Sequence, residues 1–456
     1  MMSIRSTAAL ALAGLAGIGL LTACGSDSGG DEAAGGRVAI TVASDAGLTP
    51  EAIRSFDQQI AAFKKKYPNI DVTREEYTWT GPTFAAKLAG GTLPDVFTTP
   101  FTDGRTLIAR GQVADISGEV SKLPYANSFN KNVVAAGQND QGKIEMVPIA
   151  AYGQALHYNR SLFKEAGLDP DRPPTSWDEV RADAKQIADK TGQAGYAVMT
   201  KGNTGGWILT TEAYALGGRM TQADGEKQKA TVDSDGAKAA LKMVQTMRWQ
   251  DNSMGSNFGY DWNGINQAFA AGKIGMFITG GATYDNLVSQ NEIKPDDYGL
   301  TVLPLQGAEA GVLGGGTLAA VSVKSSKAEQ QAAVQWIDFF YMQKLITEEG
   351  AKRDAENRQA EKQPVGTPQL PVFDQATEEK RIGWIKSYID VPLDQMTSYT
   401  DAAFNQPLVP EPPVATQDLY AALDPVVQKV LTDKNADVDA LLGAANSKVQ
   451  TVLDRS

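Results

Sequence analysis

The stretch that decides the fold begins with Arg-Val-Ala-Ile-Thr-Val-Ala at residues 37–43 and ends with Asp-Val-Phe-Thr-Thr at residues 95–99. Both runs are short and mostly apolar, which is typical of buried strands. Between them lie a helix with an apolar face, a strand at 70–72 and a short helix at 83–89. The apolar face consists of Ile53, Phe56, Ile60 and Phe63. This β-α-β-α-β order predicts parallel strands covered by helices.

The same kind of order returns after residue 150. Ser176 with Glu179, and further along the chain Ser326 with Glu329, have the spacing of a capping box, which predicts the start of a helix at each place. Apolar runs at 196–199 and 274–279 predict two further strands. Two helical stretches are predicted at the end of the chain, over 418–430 and 438–453. The predicted fold class is therefore α/β, with two doubly wound lobes.

The overall composition is that of a globular protein. Its 456 residues, 42% of them apolar, can bury a large core and suggest about two to three domains. The net charge of −12 is spread without a basic block, which argues against a nucleic-acid partner. Residues 350–380 are mostly charged or polar and contain several prolines, which predicts a long surface crossing instead of a further domain.

The first residues have the features of an export signal. Arg5 is the only charged residue before the apolar run 8–21, and this run is shorter than the ~20 residues that a membrane-spanning helix needs. The sequence Leu-Thr-Ala-Cys at 21–24 resembles the bacterial lipobox. This resemblance implies that residues 1–23 are a signal peptide and that Cys24 is lipidated after cleavage.

Cys24 is the only cysteine of the chain, so no disulfide can form within it. Residues 24–36 are rich in glycine, serine and acids, and they predict a flexible tether. Several acyl chains on one residue are enough for stable anchoring. The sequence therefore predicts an exported protein that is lipid-anchored to the outer face of the cell membrane.

Four groups of motifs in the rest of the chain occur together in a recognisable order. They are Phe-Lys-Lys-Lys-Tyr-Pro-Asn-Ile (63–70) with Gly-Thr-Leu-Pro-Asp-Val (91–96); Val-Pro-Ile (147–149), Leu-His-Tyr-Asn-Arg (156–160) and Pro-Thr-Ser-Trp-Asp-Glu (174–179); Ala-Phe-Ala-Ala-Gly-Lys-Ile-Gly-Met (268–276); and Gly-Gly-Gly (314–316) leading to Val-Ser-Val (321–323). In this order and spacing they resemble the bacterial extracellular solute-binding proteins of carbohydrate ABC importers, the family that includes maltose-binding protein.

The resemblance implies two lobes of the periplasmic-binding-protein type II kind, joined by a multi-crossing hinge. Crossings are expected near 148–153, 302–304 and Pro364. The predicted lobes are 37–148 plus 305–363 and 149–304 plus 364–456. A sugar or oligosaccharide would bind between the lobes, hinge closure would follow, and the closed form would dock on the permease subunits of the importer. A monomer without cofactor, metal or catalytic residues is predicted.

Candidate ligand contacts in the first lobe follow its strands. Ser44 and Asp45 come after the first strand, at the edge where open α/β sheets bind ligands, and Asp103 follows the third. By resemblance, Asp103 falls near a sugar-binding acid of the family. Trp79 lies in a polar turn and could stack on a sugar. The alternatives are helix caps or solvated loops for the acids, and a ring folded over its own lobe for Trp79.

Further candidates lie at the crossing and in the second lobe. Tyr152 stands where the resemblance places a sugar-binding glutamate. Asn203 and Trp207 follow strand 196–199, although a core position for Trp207 stays open. Trp262 lies in a polar turn before a helix, which favours exposure to the cleft.

Glycines and one tyrosine complete the set of candidates. Many relatives carry Gly-Pro-Trp after the strand that ends near 279, whereas this chain has Gly281 and no tryptophan there. Tyr284 is the candidate that could replace that ring. Gly315, in the Gly-rich segment, would let the backbone approach a ligand or act in the hinge, and a mobile loop is the alternative.

Other classes of function find less support in the residues. His157 is the only histidine and lies in an apparent strand, so a packed histidine is expected and not a catalytic triad. Two alternatives stay open. A lipid-anchored glycoside hydrolase would use two carboxylates whose separation cannot be judged from sequence, and a receptor for another polar solute would share the same architecture.

Overall fold

A computed structural model describes residues 36–48, 50–77, 79, 81–225, 227–280 and 283–455. The fold lies in the compact unit formed by residues 38–456. The predicted signal peptide, the lipidation candidate Cys24 and the ligand candidate Gly281 lie outside the described residues.

Strands and helices alternate through most of this unit. The strands are β1 (Val38–Ser44), β2 (Ile70–Glu76), β3 (Val96–Pro100), β4 (Val147–Asn159), β5 (Ala194–Tyr196), β6 (Thr221–Asp224), β7 (Lys227–Ala230), β8 (Ile274–Gly280), β9 (Tyr298–Val302), β10 (Val312–Val321) and β11 (Leu408–Pro410). The helices are α1 (Pro50–Lys66), α2 (Gly81–Gly90), α3 (Phe101–Ala109), α4 (Ser117–Val120), α5 (Lys131–Val134), α6 (Arg160–Ala166), α7 (Trp177–Thr191), α8 (Thr204–Ala215), α9 (Asp235–Trp249), α10 (Trp262–Ala270), α11 (Thr283–Asn291), α12 (Lys327–Ile337), α13 (Gln343–Ile346), α14 (Glu348–Ala360), α15 (Gln375–Ile385), α16 (Thr397–Thr400), α17 (Thr416–Thr432) and α18 (Val438–Leu453).

Local capping explains where several helices begin and end. The Ser176 hydroxyl accepts a hydrogen bond from the Glu179 amide over 3.2 Å at the start of α7. Gly192, with φ of 72°, ends that helix in the left-handed conformation that glycine adopts most readily. Ser326 and Glu329 form a complete capping box at the start of α12. The predicted helices at these two boxes are confirmed.

One sheet runs through both lobes in the order β2-β1-β3-β10-β4-β8-β5. β1 pairs in parallel with β2 and β3, as predicted. The strand β4 pairs with β10 up to Gly153, with β8 from Gln154 onward and with β9 from Ala155 onward. The backbone therefore passes from the first lobe to the second inside one long strand, and β10 runs antiparallel beside it.

Each lobe has its own apolar core. In the first lobe the sheet is covered on both faces, by a cluster around Trp336 and by another around Phe97. In the second lobe a single larger cluster surrounds Tyr158 and Phe277 and includes α17 and α18. Because helices pack on both faces of the sheet, the predicted doubly wound α/β architecture is confirmed.

The region predicted to be a surface crossing contains two helices, α14 and α15. The sequence of α14 has no stripe of large apolar residues, and the helix buries only the small residues Gly350, Ala351 and Ala355. Its position depends instead on contacts with other elements. Arg358 pairs with Asp285 of α11 over 2.5 Å and donates to the Pro364 carbonyl over 2.8 Å.

Candidate ligand cleft

Asp103 lies in the first turn of α3, directly after β3. The Trp79 indole Nε1 donates to Asp103 Oδ2 over 3.0 Å, and the Thr99 hydroxyl donates to the same oxygen over 2.6 Å. The other oxygen, Oδ1, lies 3.5 Å from the Thr102 hydroxyl. Burial raises the pKa of Asp103, and the hydrogen bonds from Thr99 and Trp79 partly offset this rise. Asp103 is therefore a carboxylate whose Oδ2 is held in place by two hydrogen bonds.

Tyr152 and Gly315 lie opposite each other where the chain crosses between the lobes. They are paired in the register of β4 and β10. A Cβ atom at Gly315 would lie 2.5 Å from the Tyr152 hydroxyl oxygen, so only glycine leaves room for the ring above this strand. The ring of Tyr152 meets that of Trp207 edge-on, with centroids 6.4 Å apart. The structure thus brings three of the predicted site residues together.

Glu411 joins this group and was missed in the sequence. The Tyr420 hydroxyl donates to Glu411 Oε1 over 2.9 Å. Burial raises the pKa of Glu411, while its hydrogen bonds with Tyr420 and Tyr152 act in the opposite direction. The only signal in the sequence was an acid between Pro410 and Pro412, in a proline-rich segment whose apolar residues follow no helical or strand periodicity.

The start of α8 is held by α17. The Asn203 amide donates to Asp424 Oδ2 over 2.8 Å, and the Gly206 amide donates to Oδ1 over 2.9 Å. The Asn203 side-chain amide donates to Gln417 Oε1 over 3.1 Å. Trp207 is half-buried against the core of the second lobe. Asn203 therefore positions this helix start, and part of the Trp207 ring stays exposed.

Two aromatic candidates of the second lobe have different surroundings. Trp262 is the first residue of α10 and is half-buried, packed partly against the core. Tyr284 is only 2% exposed, and its ring centroid lies 4.6 Å from that of Tyr298. The helix α11 therefore turns the Tyr284 ring into the core, and almost none of its surface is left exposed to a ligand.

Ser44 and Asp45 line a different cavity from the one that Asp103 lines. Neighbouring residues of a strand point to opposite faces of the sheet, and Thr99 of β3 faces Asp103. Thr98 lines a different cavity, of about 600 Å³, together with Ser44 and Asp45. The Ser44 hydroxyl already accepts from Arg74 over 2.9 Å. Ser44 and Asp45 are therefore assigned to this cavity and not to the one that Asp103 lines.

The single histidine is part of the second-lobe core. His157 is fully buried, its Nδ1 lies 2.8 Å from the Tyr298 hydroxyl, and its Nε2 lies 3.3 Å from the Thr279 carbonyl oxygen. Burial lowers the pKa of His157 from 6.5 to about 4. The predicted packed histidine is confirmed.

Metal and membrane features were sought throughout the described ranges. Histidine, cysteine, aspartate and glutamate side chains in these ranges form no group of three or more that could hold a metal ion. Every helix in the same ranges is too short or too polar to cross a membrane.

Comparison with known families adds to this geometry. A family model for bacterial extracellular solute-binding proteins matches residues 58–353, which is more than half of the chain. The chain belongs to this family. The match spans elements of both lobes, from within α1 to within α14.

Individual proteins that are similar to this solute-binding protein are also named as binding proteins. A protein of Brucella abortus named only as a binding protein is 25% identical over 332 residues, which are 72% of this chain and 76% of the relative. The sn-glycerol-3-phosphate-binding periplasmic protein UgpB of Yersinia pestis is 36% identical over 67 residues, only 15% of this chain and 14% of the relative. The crystal structure of the cyclic α-maltosyl-1,6-maltose binding protein of Arthrobacter globiformis has a TM-score of 0.71 at 23% identity, covering 92% of this chain and all of the other. This similarity supports the two-lobed fold.

Proposed function

We propose that this solute-binding protein captures a sugar or a related polyol between its lobes and delivers it to the permease of an ABC importer. The observation that carries the proposal is the pairing of a fixed carboxylate with aromatic rings. Asp103 and Trp79 lie in the first lobe and are hydrogen-bonded to each other. Tyr152 lies at the crossing, and its ring contacts that of Trp207 in the second lobe. Sugars present apolar C–H faces to rings and hydroxyls to carboxylates, so both halves of such a ligand find partners.

The proposed mechanism is closure of the two lobes about the crossing strands. β4 changes its pairing partners between Gly153 and Gln154, and β10 passes alongside with Gly314, Gly315 and Gly316. These positions support a bend with little loss of packing, because each lobe keeps its own core. The lobes would be 37–148 plus 305–363 and 149–304 plus 364–456. Ligand contacts to both lobes would favour the closed form.

The proposed location is the outer face of the cell membrane. Lipidation of Cys24 would anchor the protein, residues 25–36 would act as the tether, and a monomer would serve the importer. The similar proteins reported above are named as binding proteins, and this supports binding without catalysis.

A ligand screen tests the proposal directly. Thermal unfolding would be followed with maltose, tagatose, ribitol and mannitol, since a ligand at a hundred times its dissociation constant stabilises the folded state by about 2.7 kcal/mol. The best ligand would then be examined by X-ray scattering and followed by NMR for hours. We expect stabilisation, a more compact shape and an unchanged ligand. Stabilisation by none of these solutes, or cleavage of the sugar, would contradict the proposal.

A further inference from the structure

The contact between Arg358 and Asp285 joins two helices that belong to different apolar clusters. Asp285 lies in the first turn of α11, which buries Tyr284 and Leu287 in the second-lobe core. Arg358 lies in α14, whose two buried alanines belong to a separate small cluster. Because α11 and α14 share no apolar cluster, their contact is polar and can form or break without exposing a core.

The segment that contains α14 is fastened to the first lobe on both sides of the helix. Before α14, the Asp338 carboxylate accepts a hydrogen bond over 2.7 Å from Tyr125, which is buried in the first-lobe core around Trp336. After α14, Phe373 stacks on Phe129 in the same core, with ring centroids 4.7 Å apart. Arg358 therefore approaches Asp285 from the first lobe.

The Asp285 carboxylate is held through both of its oxygens. Arg358 lies 2.5 Å from Oδ2, and the Thr367 hydroxyl donates to Oδ1. A second bond, from Arg358 Nε to the Pro364 carbonyl over 2.8 Å, orients the guanidinium. The two charged side chains are only 32% and 20% exposed, so salt screens this pair less than a fully exposed one.

This ion pair differs from the others in where its partners are rooted. Among the ion pairs within the described ranges, it is the one that joins the second lobe to a segment fastened to the first. Arg358 also lines the cavity of about 600 Å³ that holds the ligand candidates Ser44 and Asp45. The wall of this cavity carries further charges of both signs, from Lys344, Arg353, Asp354 and Glu361. The second lobe thus holds, through Asp285, a side chain that lines a first-lobe cavity.

We infer that Asp285 and Arg358 form a latch between the lobes, which favours their closed arrangement and thereby raises the affinity for ligand. This inference rests on the proposed function and concerns how its cleft is regulated. A side-chain pair between two separately packed lobes is lost when they move apart, so it stabilises the arrangement in which they meet. When fewer molecules are closed, the apparent affinity falls in proportion to that fraction.

Asp285→Asn tests the latch. It removes the charge and keeps the shape of a residue that lines neither the cavity of Ser44 and Asp45 nor that of Asp103. Calorimetric titration would use whichever of maltose, tagatose, ribitol and mannitol stabilises wild type most. We expect about fivefold weaker binding, the effect of losing one partly buried ion pair. X-ray scattering should show a larger radius of gyration than wild type without the sugar and the same radius at saturation.

Two further variants separate the latch from a loss of folding. Thr367→Val removes one donor to Asp285, keeps the ion pair and should weaken binding about twofold. Asp251→Asn breaks the pair with Arg181, which lies within the second lobe, and should leave affinity and scattering unchanged even where the unfolding free energy falls.

The outcomes distinguish the latch from the proposed function. In an Asp285→Asn protein that unfolds cooperatively in urea, unchanged or tighter binding would overturn the latch alone. An unchanged radius of gyration without sugar would overturn it as well. Failure of wild type to bind any of the four solutes would overturn the proposed function, and the scattering of the variant without sugar would still decide on the latch.

Discussion

Trp79 Nε1 donates a hydrogen bond to Asp103 Oδ2 over 3.0 Å, and this contact joins the polar turn after β2 to the first turn of α3. It fixes a half-buried indole beside a carboxylate, so one face of the ring and one carboxylate oxygen are oriented together. A site that positions its groups before the ligand arrives loses less conformational entropy on binding.

Trp79→Phe keeps an aromatic ring and removes the donor. We expect sugar binding to weaken by about tenfold, because a hydrogen bond to a charged group is lost and Asp103 becomes freer to turn. Calorimetric titration measures this effect. Trp384→Phe is the matched control, since that indole packs in the separate cluster with Ala351 and Ile385. Equal affinities for wild type and Trp79→Phe would contradict a role for this contact.

Gly315→Ala should displace the Tyr152 ring, because the new Cβ atom would lie 2.5 Å from its hydroxyl oxygen. We expect a destabilisation of about 1–3 kcal/mol and weaker ligand binding. Gly443→Ala in α18 is the control, since its Cβ would meet nothing within 4 Å. If the clash is the cause, the cost of Gly315→Ala should fall in a Tyr152→Ala background. If urea unfolding shows that the free-energy costs of Gly315→Ala and Tyr152→Ala simply add, the clash with Tyr152 is not the cause.

The unfolding free energy should depend on pH through Glu212. Burial raises the pKa of Glu212 from 4.5 to about 7, and the Tyr196 hydroxyl donates to it over 2.7 Å. The folded state therefore holds a proton that the unfolded state releases between pH 4.5 and 7. The stability contribution of Glu212 is full below pH 4.5 and is lost as pH rises through 7.

Glu212→Gln removes this dependence because an amide does not titrate. Urea unfolding of wild type and variant would be measured at pH 5, 6.5 and 8. As pH rises, the unfolding free energy of the variant should increase relative to that of wild type. His157 contributes in the opposite direction but equally in both proteins, since its lowered pKa makes stability rise with pH between about 4 and 6.5. A difference between the two proteins that stays constant with pH would refute the assignment.

Trp262→Ala should cost less stability than Trp336→Ala. Trp336 is fully buried among Phe56, Phe63 and Phe340, and truncation of such a ring costs about 3–5 kcal/mol. Trp262 is only half-buried, and the loop before it hydrogen-bonds through the Tyr260 carbonyl to Thr200, just after β5. We expect the loss of sugar-binding free energy in Trp262→Ala to exceed its loss of unfolding free energy. Equal unfolding costs, or unchanged binding by titration, would remove Trp262 from the cleft.

Membrane attachment should depend on Cys24, because this residue offers the only thiol for lipidation. Cys24→Ser should move the exported protein from the membrane fraction to the soluble fraction, whereas Ser26→Ala, in the tether, should leave it attached. Cell fractionation with detection of the mature chain measures this. Equal membrane binding of Cys24→Ser and wild type would exclude the lipoprotein assignment.

The sequence by itself determined the fold class and the order of many of its strands and helices. A hydrophobic pattern or a helix cap depends on residues only a few positions apart, so it can be recognised locally. Such local signals include the apolar runs at 37–43 and 274–279 and the capping boxes at Ser176 and Ser326. For the same reason α14 and α15 were not recognised. Their packing depends on small residues and on partners such as Asp285, which no local pattern announces.

Only the tertiary structure decided which candidates share a site. Asp103 and Trp79 meet across 24 residues, while Tyr152 and Gly315 lie opposite each other only because β4 and β10 are paired. Tyr284, a residue of suitable chemistry, is instead turned into the core. Burial, strand register and the direction of a side chain are set by contacts between distant segments. The sequence shows the chemical type of each of these residues, but it does not show the distances between their side chains in the folded protein.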